Sequence, residues 1–213
     1  MFDPRNLIKK SLARIPKKFD KNQVRLHLGC GLRKYNSFLN VDLYNSDYNL
    51  DLSRGKLPFP DNHFEFVLSQ HFIEHLWLET ELMPLMKEVR RVMQPGATLI
   101  LTTPDMYKIA SSYVNGGISH LIEARKKRFS KFSLFGFPES HYLNILWHQG
   151  GEHKNLFDYN LLKFICEKSG FIDVIEISEN RIIEAYPEIS PRNDTEHTIV
   201  IQAQKSPQNE IDV

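Results

Sequence analysis

The sequence predicts an α/β domain built on a mostly parallel sheet, and three observations carry that prediction. Short apolar runs alternate with amphipathic stretches of helical period. A tight Gly29-Cys30-Gly31 turn follows the first run, and an acid, Asp42, closes the second. Alternation of this kind marks strand–helix–strand units, whose sheets bind ligands at the carboxyl ends of their strands. At 213 residues the chain suits one domain with a sizeable core.

The elements follow in order. Residues 1–23 form a basic lead with Leu7, Ile8, Leu12 and Ile15 at roughly helical spacing, stopped by Pro16. Runs rich in Val, Ile, Leu and Phe predict strands over 24–28, 38–42, 64–69 and 97–103. Between the last two, Leu82, Leu85, Met86, Val89, Val92 and Met93 keep the helical period until Pro95-Gly96 ends it. A second helix is expected near 158–169, with Leu161, Leu162 and Ile165 inward and Gly170 as its stop. Closing strands are expected over 171–177 and 197–204, ahead of a polar tail over 206–213. Residues 115–150 break the alternation and read as an insertion on the substrate side of a domain spanning 24–205.

Bulk properties narrow the class. A net charge of +1 gives no global attraction to nucleic acid. Cys30 and Cys166 lie too far apart in sequence to suggest a disulfide framework or a metal cluster, and no metal is expected. No apolar run reaches the roughly 18 residues of a membrane span, and the N-terminus lacks a secretory core. The expectation is a cytoplasmic protein.

The glycine turn discriminates between ligands. A dinucleotide site needs a third glycine opening a helix whose N-terminus holds the pyrophosphate. Here Leu32-Arg33-Lys34-Tyr35-Asn36-Ser37 lead at once into the next strand, and Asp42 comes 11 residues after Gly31. That spacing falls well short of the roughly 20 residues of the dinucleotide fingerprint. The pocket reads as built for an adenosine-like ligand without phosphates, with Asp42 accepting from both ribose hydroxyls. S-adenosylmethionine fits that description.

The stretches "LHLGCG", "NVDL", "LDLSRGKLPFPDNHFEFVLSQHFIEHL", "VRRVMQPGATLILTTPD" and "HKNLFDYNLLKFICEKSGF" together resemble the class I S-adenosylmethionine-dependent methyltransferases, of the small methyltransferase type 11 kind. The resemblance implies a Rossmann-like, seven-stranded, mostly parallel sheet of order 3-2-1-4-5-7-6 with helices on both faces. It also implies a cofactor set. Gly29, Cys30 and Gly31 would approach the methionine and ribose. Asp42 and Leu43 would meet the ribose side, Asp51 and Leu52 the adenine, and Ser69 and Gln70 the sulfonium region. His27 stands where the family often has an acid facing the methionine amino group.

Methyl transfer to a hydroxyl often calls for a base near neutral pH, which points to histidine. His71 follows the fourth strand and His153 follows Gly150-Gly151; these two are the candidates for base or acceptor-orienting residue. His63 and His197, in a turn and at a strand start, read as solvated, and His75 as structural. The basic "ARKKRF" (124–129) reads either as a solvated helix face or as a site for an acidic group on the acceptor. The expected acceptor is a hydroxyl of a saccharide, glycan or small metabolite. No nucleic acid is expected, because the adenine-methylating [DNS]PP[YF] signature is missing. Two alternatives stand beside this reading. One is a peripheral methyltransferase of glycan assembly, with weak membrane-surface contact through the eight Lys/Arg of residues 1–25. The other is a non-catalytic cofactor-fold binding protein.

Overall fold

The computed structural model describes residues 20–207. The basic lead and the tail fall almost wholly outside them. Seven strands form one sheet in the order β3-β2-β1-β4-β5-β7-β6. They are β1 (Arg25–Leu28), β2 (Leu39–Asp42), β3 (Tyr48–Asn49), β4 (Phe64–Gln70), β5 (Met93–Pro104), β6 (Phe171–Glu176) and β7 (Thr198–Lys205). Pairing is parallel from β3 to β5, while β7 runs antiparallel to both β5 and β6. Six α-helices are described: α1 (Met83–Val92), α2 (Met106–Val114), α3 (Ser119–Arg128), α4 (His141–His148), α5 (Tyr159–Lys168) and α6 (Glu179–Ala185).

The apolar runs are continuous because both faces of the sheet are covered. Leu26, Leu28, Val67, Leu99, Leu101, Ile199 and Ile201 face one layer, where α1 and α5 pack through Leu85, Met86, Val89, Leu162 and Ile165. Phe66, Leu68, Ile100 and Val200 face the other, covered by Ile182 of α6 together with Tyr35 and Phe38. No helix intervenes between β1 and β2; the crossover is a run of turns and bends. Phe38 and Tyr35 fill the space a crossover helix would take, their rings 5.6 Å apart.

Local signals explain most boundaries. Asp158 caps α5 by accepting from the Leu161 N–H at 2.8 Å, and Asp105 caps α2 by accepting from Tyr107 at 2.9 Å. A single π-turn (Leu78–Leu82) leads into α1, whose first turn carries Pro84. Pro95-Gly96 does not simply end the helix before a separate strand. β5 already begins at Met93, and its pairing with β4 jumps from Phe64↔Met93 to Phe66↔Thr98, so the Pro-Gly pair lies in a bulge. β3 has two residues, too few for a periodic signal. α6 is a further element that the run of closing strands did not announce. The insertion after β5 builds a small core of its own from Ile109, Ile118, Leu121, Ile122, Tyr142, Leu143 and Leu146.

The strand alternation also decides the fate of His27. Leu26 and Leu28 take one face, so His27 takes the other, where it is 1% exposed and stacks on Tyr35 at 5.2 Å. Burial pushes its pKa down to about 4, against a weak upward pull from Asn40. The folded state therefore binds this proton less readily than the unfolded chain. Its stability contribution is complete above pH 6.5 and is lost as pH falls toward 4. Up to about 3 kcal/mol is at stake in that window. A thermal melt series from pH 7 to pH 4 should show a falling midpoint, with a shallower fall in His27→Gln; equal slopes would remove His27 from the account.

Candidate functional site

The site begins at the turn after β1. Gly29 and Gly31 sit at φ of 65° and 53°, a region side chains rarely occupy. At Gly29 space is the stronger constraint: a Cβ there would lie 2.1 Å from Cγ of Phe72, whereas at Gly31 it would meet nothing within 4 Å. The N–H groups of Gly29 and Cys30 donate to the Val41 carbonyl at 2.9 and 3.2 Å. Asp42 completes the clamp. Its Oδ2 accepts from the Gly31 N–H at 2.7 Å and its Oδ1 from the Leu43 N–H at 2.6 Å. A carboxylate has about four lone-pair positions, so each oxygen retains capacity for a ligand. Burial, with the charge of Asp42, pushes the Cys30 thiol up to about 11, which makes it a neutral packing group. Asp51 caps the 3₁₀ turn Leu52–Arg54, accepting from the Ser53 hydroxyl at 2.6 Å.

Two adjoining clefts open at the carboxyl ends of the strands. The first, about 480 Å³, is lined by Gly29, Gly31, Asp42, Leu43, Asp51 and Leu52 together with His71, Phe72, His75 and Trp77. The second, about 450 Å³, is lined by Cys30, Gln70, Glu74, Arg125, His153, Arg192, Asp194 and His197. Gly29, Gly31, His71 and His75 belong to both. Ten of the twelve residues singled out from the sequence thus line one or both clefts. His27 and Ser69 line neither, although the contact expected at Ser69 is through its backbone. His27 points to the far face of β1. Ser69 is 2% exposed within β4, and its hydroxyl has no hydrogen-bond partner. Gln70 lines the second cleft and accepts from the Tyr35 hydroxyl at 3.1 Å.

The second cleft is the more polar. His71 adopts φ of 51° and donates its N–H to the Thr102 carbonyl at 2.8 Å. Its ring lies between two buried carboxylates: Nδ1 is 3.4 Å from Glu74 Oε1, and Nε2 is 3.5 Å from Asp194 Oδ2 and 3.1 Å from Thr198 Oγ1. Burial works to raise the Glu74 pKa, but the approach of His71 and the charge of His75 outweigh it and hold the carboxyl below its ordinary range. Asp194 likewise stays low despite burial, through His71 and Arg192, and it pairs with Arg128 at 3.2 Å and Arg192 at 3.0 Å.

His153 is placed by its loop. Gln149, Gly150 and Gly151 all take positive φ, which turns the chain back toward β4. The N–H groups of Lys154 and Asn155 donate to the Glu74 carbonyl at 2.7 and 3.3 Å. His153 Nδ1 lies 2.9 Å from the Leu146 carbonyl. A carbonyl only accepts, so Nδ1 carries the proton and Nε2 bears the lone pair. Burial lowers the His153 pKa, so the ring is neutral at pH 7.

Several residues of this cleft escaped the sequence reading. His197 is 3% exposed, with its pKa pushed down to about 3 by burial, and is not solvated. His63 is half-buried against the Gln23 carbonyl. Glu74 and Asp194 carried no signal beyond being acids near histidines. Of the basic cluster, Lys126 and Lys127 face solvent, while Arg125 turns inward with its guanidinium over Phe129 at 4.1 Å.

Residues 47–101 match the protein family described as "Methyltransferase domain". No curated protein matches the chain by sequence. A crystal structure of an S-adenosylmethionine-dependent methyltransferase from Archaeoglobus fulgidus is 17% identical, covering 85% of each chain at a TM-score of 0.49. Phosphoethanolamine N-methyltransferase 2 of Haemonchus contortus, solved with phosphomonomethylethanolamine and S-adenosylhomocysteine, is 16% identical over 95% of this chain and 53% of its own, at 0.50. A possible exported protein of Bordetella parapertussis is 10% identical over 94% and 66%, at 0.52. At such identities the last two likenesses concern the fold. The sheet order is that of the Rossmann-like fold of class I S-adenosylmethionine-dependent methyltransferases, and the matched segment lies within it. The cofactor of this class of domain is S-adenosylmethionine.

The two glycines of the turn should behave differently. Gly31→Ala meets only the conformational cost, about 1–2 kcal/mol, and should still bind S-adenosylhomocysteine in calorimetry. Gly29→Ala must displace the Phe72 ring and should lose both binding and several degrees of melting temperature. Equal behaviour of the two variants would show that Phe72 moves freely.

Proposed function

We propose that the protein transfers the methyl group of S-adenosylmethionine to a hydroxyl of a small acceptor, a saccharide or similar metabolite, held in the second cleft. The observation that carries this reading is the meeting of the two clefts at Gly29, Gly31, His71 and His75. A ligand in the first can therefore present a group to a molecule in the second. The donor set of the first cleft suits the cofactor: two carboxylates with spare lone pairs, a buried Leu52, and a glycine turn that opens into no helix to hold phosphate.

When bound, S-adenosylmethionine supplies a methyl carbon activated by a sulfonium; the acceptor oxygen bonds to it in line as the S–C electron pair returns to sulfur. The chain's own contribution is position, dryness and activation of the oxygen. Asp42 and Asp51 would fix the nucleoside, and the peptide groups at Gly29 would meet the methionine portion. His153, neutral and with its Nε2 lone pair free of protein partners, is the group through which the acceptor hydroxyl is activated. His71 is a weaker candidate, because both its nitrogens already face carboxylates or Thr198. Arg125 lines the second cleft, and its Nε–H has no hydrogen-bond partner. Such a donor would favour an acceptor carrying an acidic group.

Calorimetry should show S-adenosylmethionine and S-adenosylhomocysteine binding and NAD failing; NAD binding alone would end this reading. Asp42→Ala should weaken cofactor binding by about 1–3 kcal/mol. His153→Ala should leave that affinity unchanged and reduce turnover of the true acceptor by roughly 10²–10⁴-fold. Cofactor binding without turnover across an acceptor panel of alcohols, amines and carboxylates would favour the binding-protein alternative.

A further inference from the structure

We propose that Glu74, His75 and His153 bind one divalent transition-metal ion of the zinc class, at the junction of the two clefts. One ligand atom from each residue lies within 4.8 Å of the other two. Ligands about 2 Å from a common ion stand within about 4 Å of one another. A small inward rotation of these side chains therefore completes the site.

Three independent features support a cation there. Glu74 is 1% exposed, and neither of its carboxylate oxygens has a hydrogen-bond partner. A buried carboxylate is costly even beside an imidazole, and a bound cation offsets that cost. His71 Nδ1 stands 3.4 Å from Glu74 Oε1, and the other nitrogen of that ring faces Asp194 and Thr198. Next, the Nδ1–H of His153 is held by the Leu146 carbonyl. Metal-binding imidazoles are typically oriented in this way, with the lone pair of the other nitrogen turned to the ion. Finally, the triad is assembled by main-chain bonds that need no metal. Glu74 and His75 sit on one 3₁₀ turn, Ile73–His75, and the His153 loop is fastened to the Glu74 carbonyl by two N–H groups. The rings of His75 and His153 lie edge to face with centroids 4.9 Å apart.

Two imidazoles and one carboxylate favour zinc and its first-row neighbours over magnesium or calcium, and leave coordination positions for substrate. Those positions face the acceptor cleft, which Glu74, His75 and His153 all line. The role of the ion rests on the methyl-transfer reading; its binding does not. With the ion in place, His153 is a ligand, and the cation lowers the pKa of the acceptor hydroxyl. The proton then leaves to water. The acceptor becomes an oxygen nucleophile able to bind a metal, best of all one with two adjacent hydroxyls.

The test uses the full chain, stripped with chelator and titrated with Co²⁺. Expected are visible d–d bands that saturate at one equivalent, are displaced by Zn²⁺, and leave one Zn²⁺ retained after dialysis. Glu74→Gln, His75→Ala and His153→Ala should each lose the bands, while His148→Ala, an exposed histidine nearby, should keep them. Melting curves and S-adenosylhomocysteine calorimetry on each variant check that the fold persists. Wild-type protein without bands or retained Zn²⁺ overturns the site, as do bands that survive all three substitutions. Metal binding without S-adenosylhomocysteine binding would sink the methyltransferase reading and leave the metal site standing.

Discussion

The site is organised by a ring lying against bare backbone. Phe72 occupies the space a side chain at position 29 would need, so β1 and the segment leaving β4 meet at van der Waals distance. The segment that leaves β4 is placed by that contact. His71, immediately before Phe72, is driven into a left-handed conformation, and the 3₁₀ turn carrying Glu74 and His75 starts immediately after it. The loop bearing His153 is then bonded to the Glu74 backbone. One close approach thus positions both walls of the junction between the clefts.

Around that junction the charges alternate. His71 separates the buried carboxylates of Glu74 and Asp194, and Arg128 and Arg192 compensate Asp194 from the far side. Burial keeps His153 and His197 neutral beside these charges. In a poorly solvated cleft such fixed charges act at greater strength than in water. Under the proposed function, that wall would act on an acceptor without first reorganising.

The architecture was legible wherever burial on both sides of the sheet imposed long apolar runs, as in β4, β5 and β7. The turn at Gly29 and Gly31 and the strand-end Asp42 were legible for a different reason: conformational freedom and charge leave marks in the residue type itself. Two-residue β3 falls below any periodicity, and seven-residue α6 carries a single fully buried position, Ile182. Side-chain direction was the harder matter. His27 lies one residue from two inward-facing leucines, and which face of β1 meets the cofactor depends on neighbours remote in sequence. His197 is buried because the Asp194 region folds over β4, a contact between segments more than a hundred residues apart. The inward turn of Arg125 depends on Phe129 and on the packing of α3, which composition does not encode.

The insertion's separate small core has a consequence for how such an enzyme diversifies. Ile109, Leu121, Tyr142 and Leu146 pack among themselves, apart from the two layers that bury the sheet. Arg125 and Leu146, which line the second cleft, belong to this outlying unit, whereas Asp42, Asp51 and the glycine turn belong to the sheet side. Under the proposed function, mutation in the outlying unit can rewrite which molecule receives the methyl group while the half that holds the donor is left untouched.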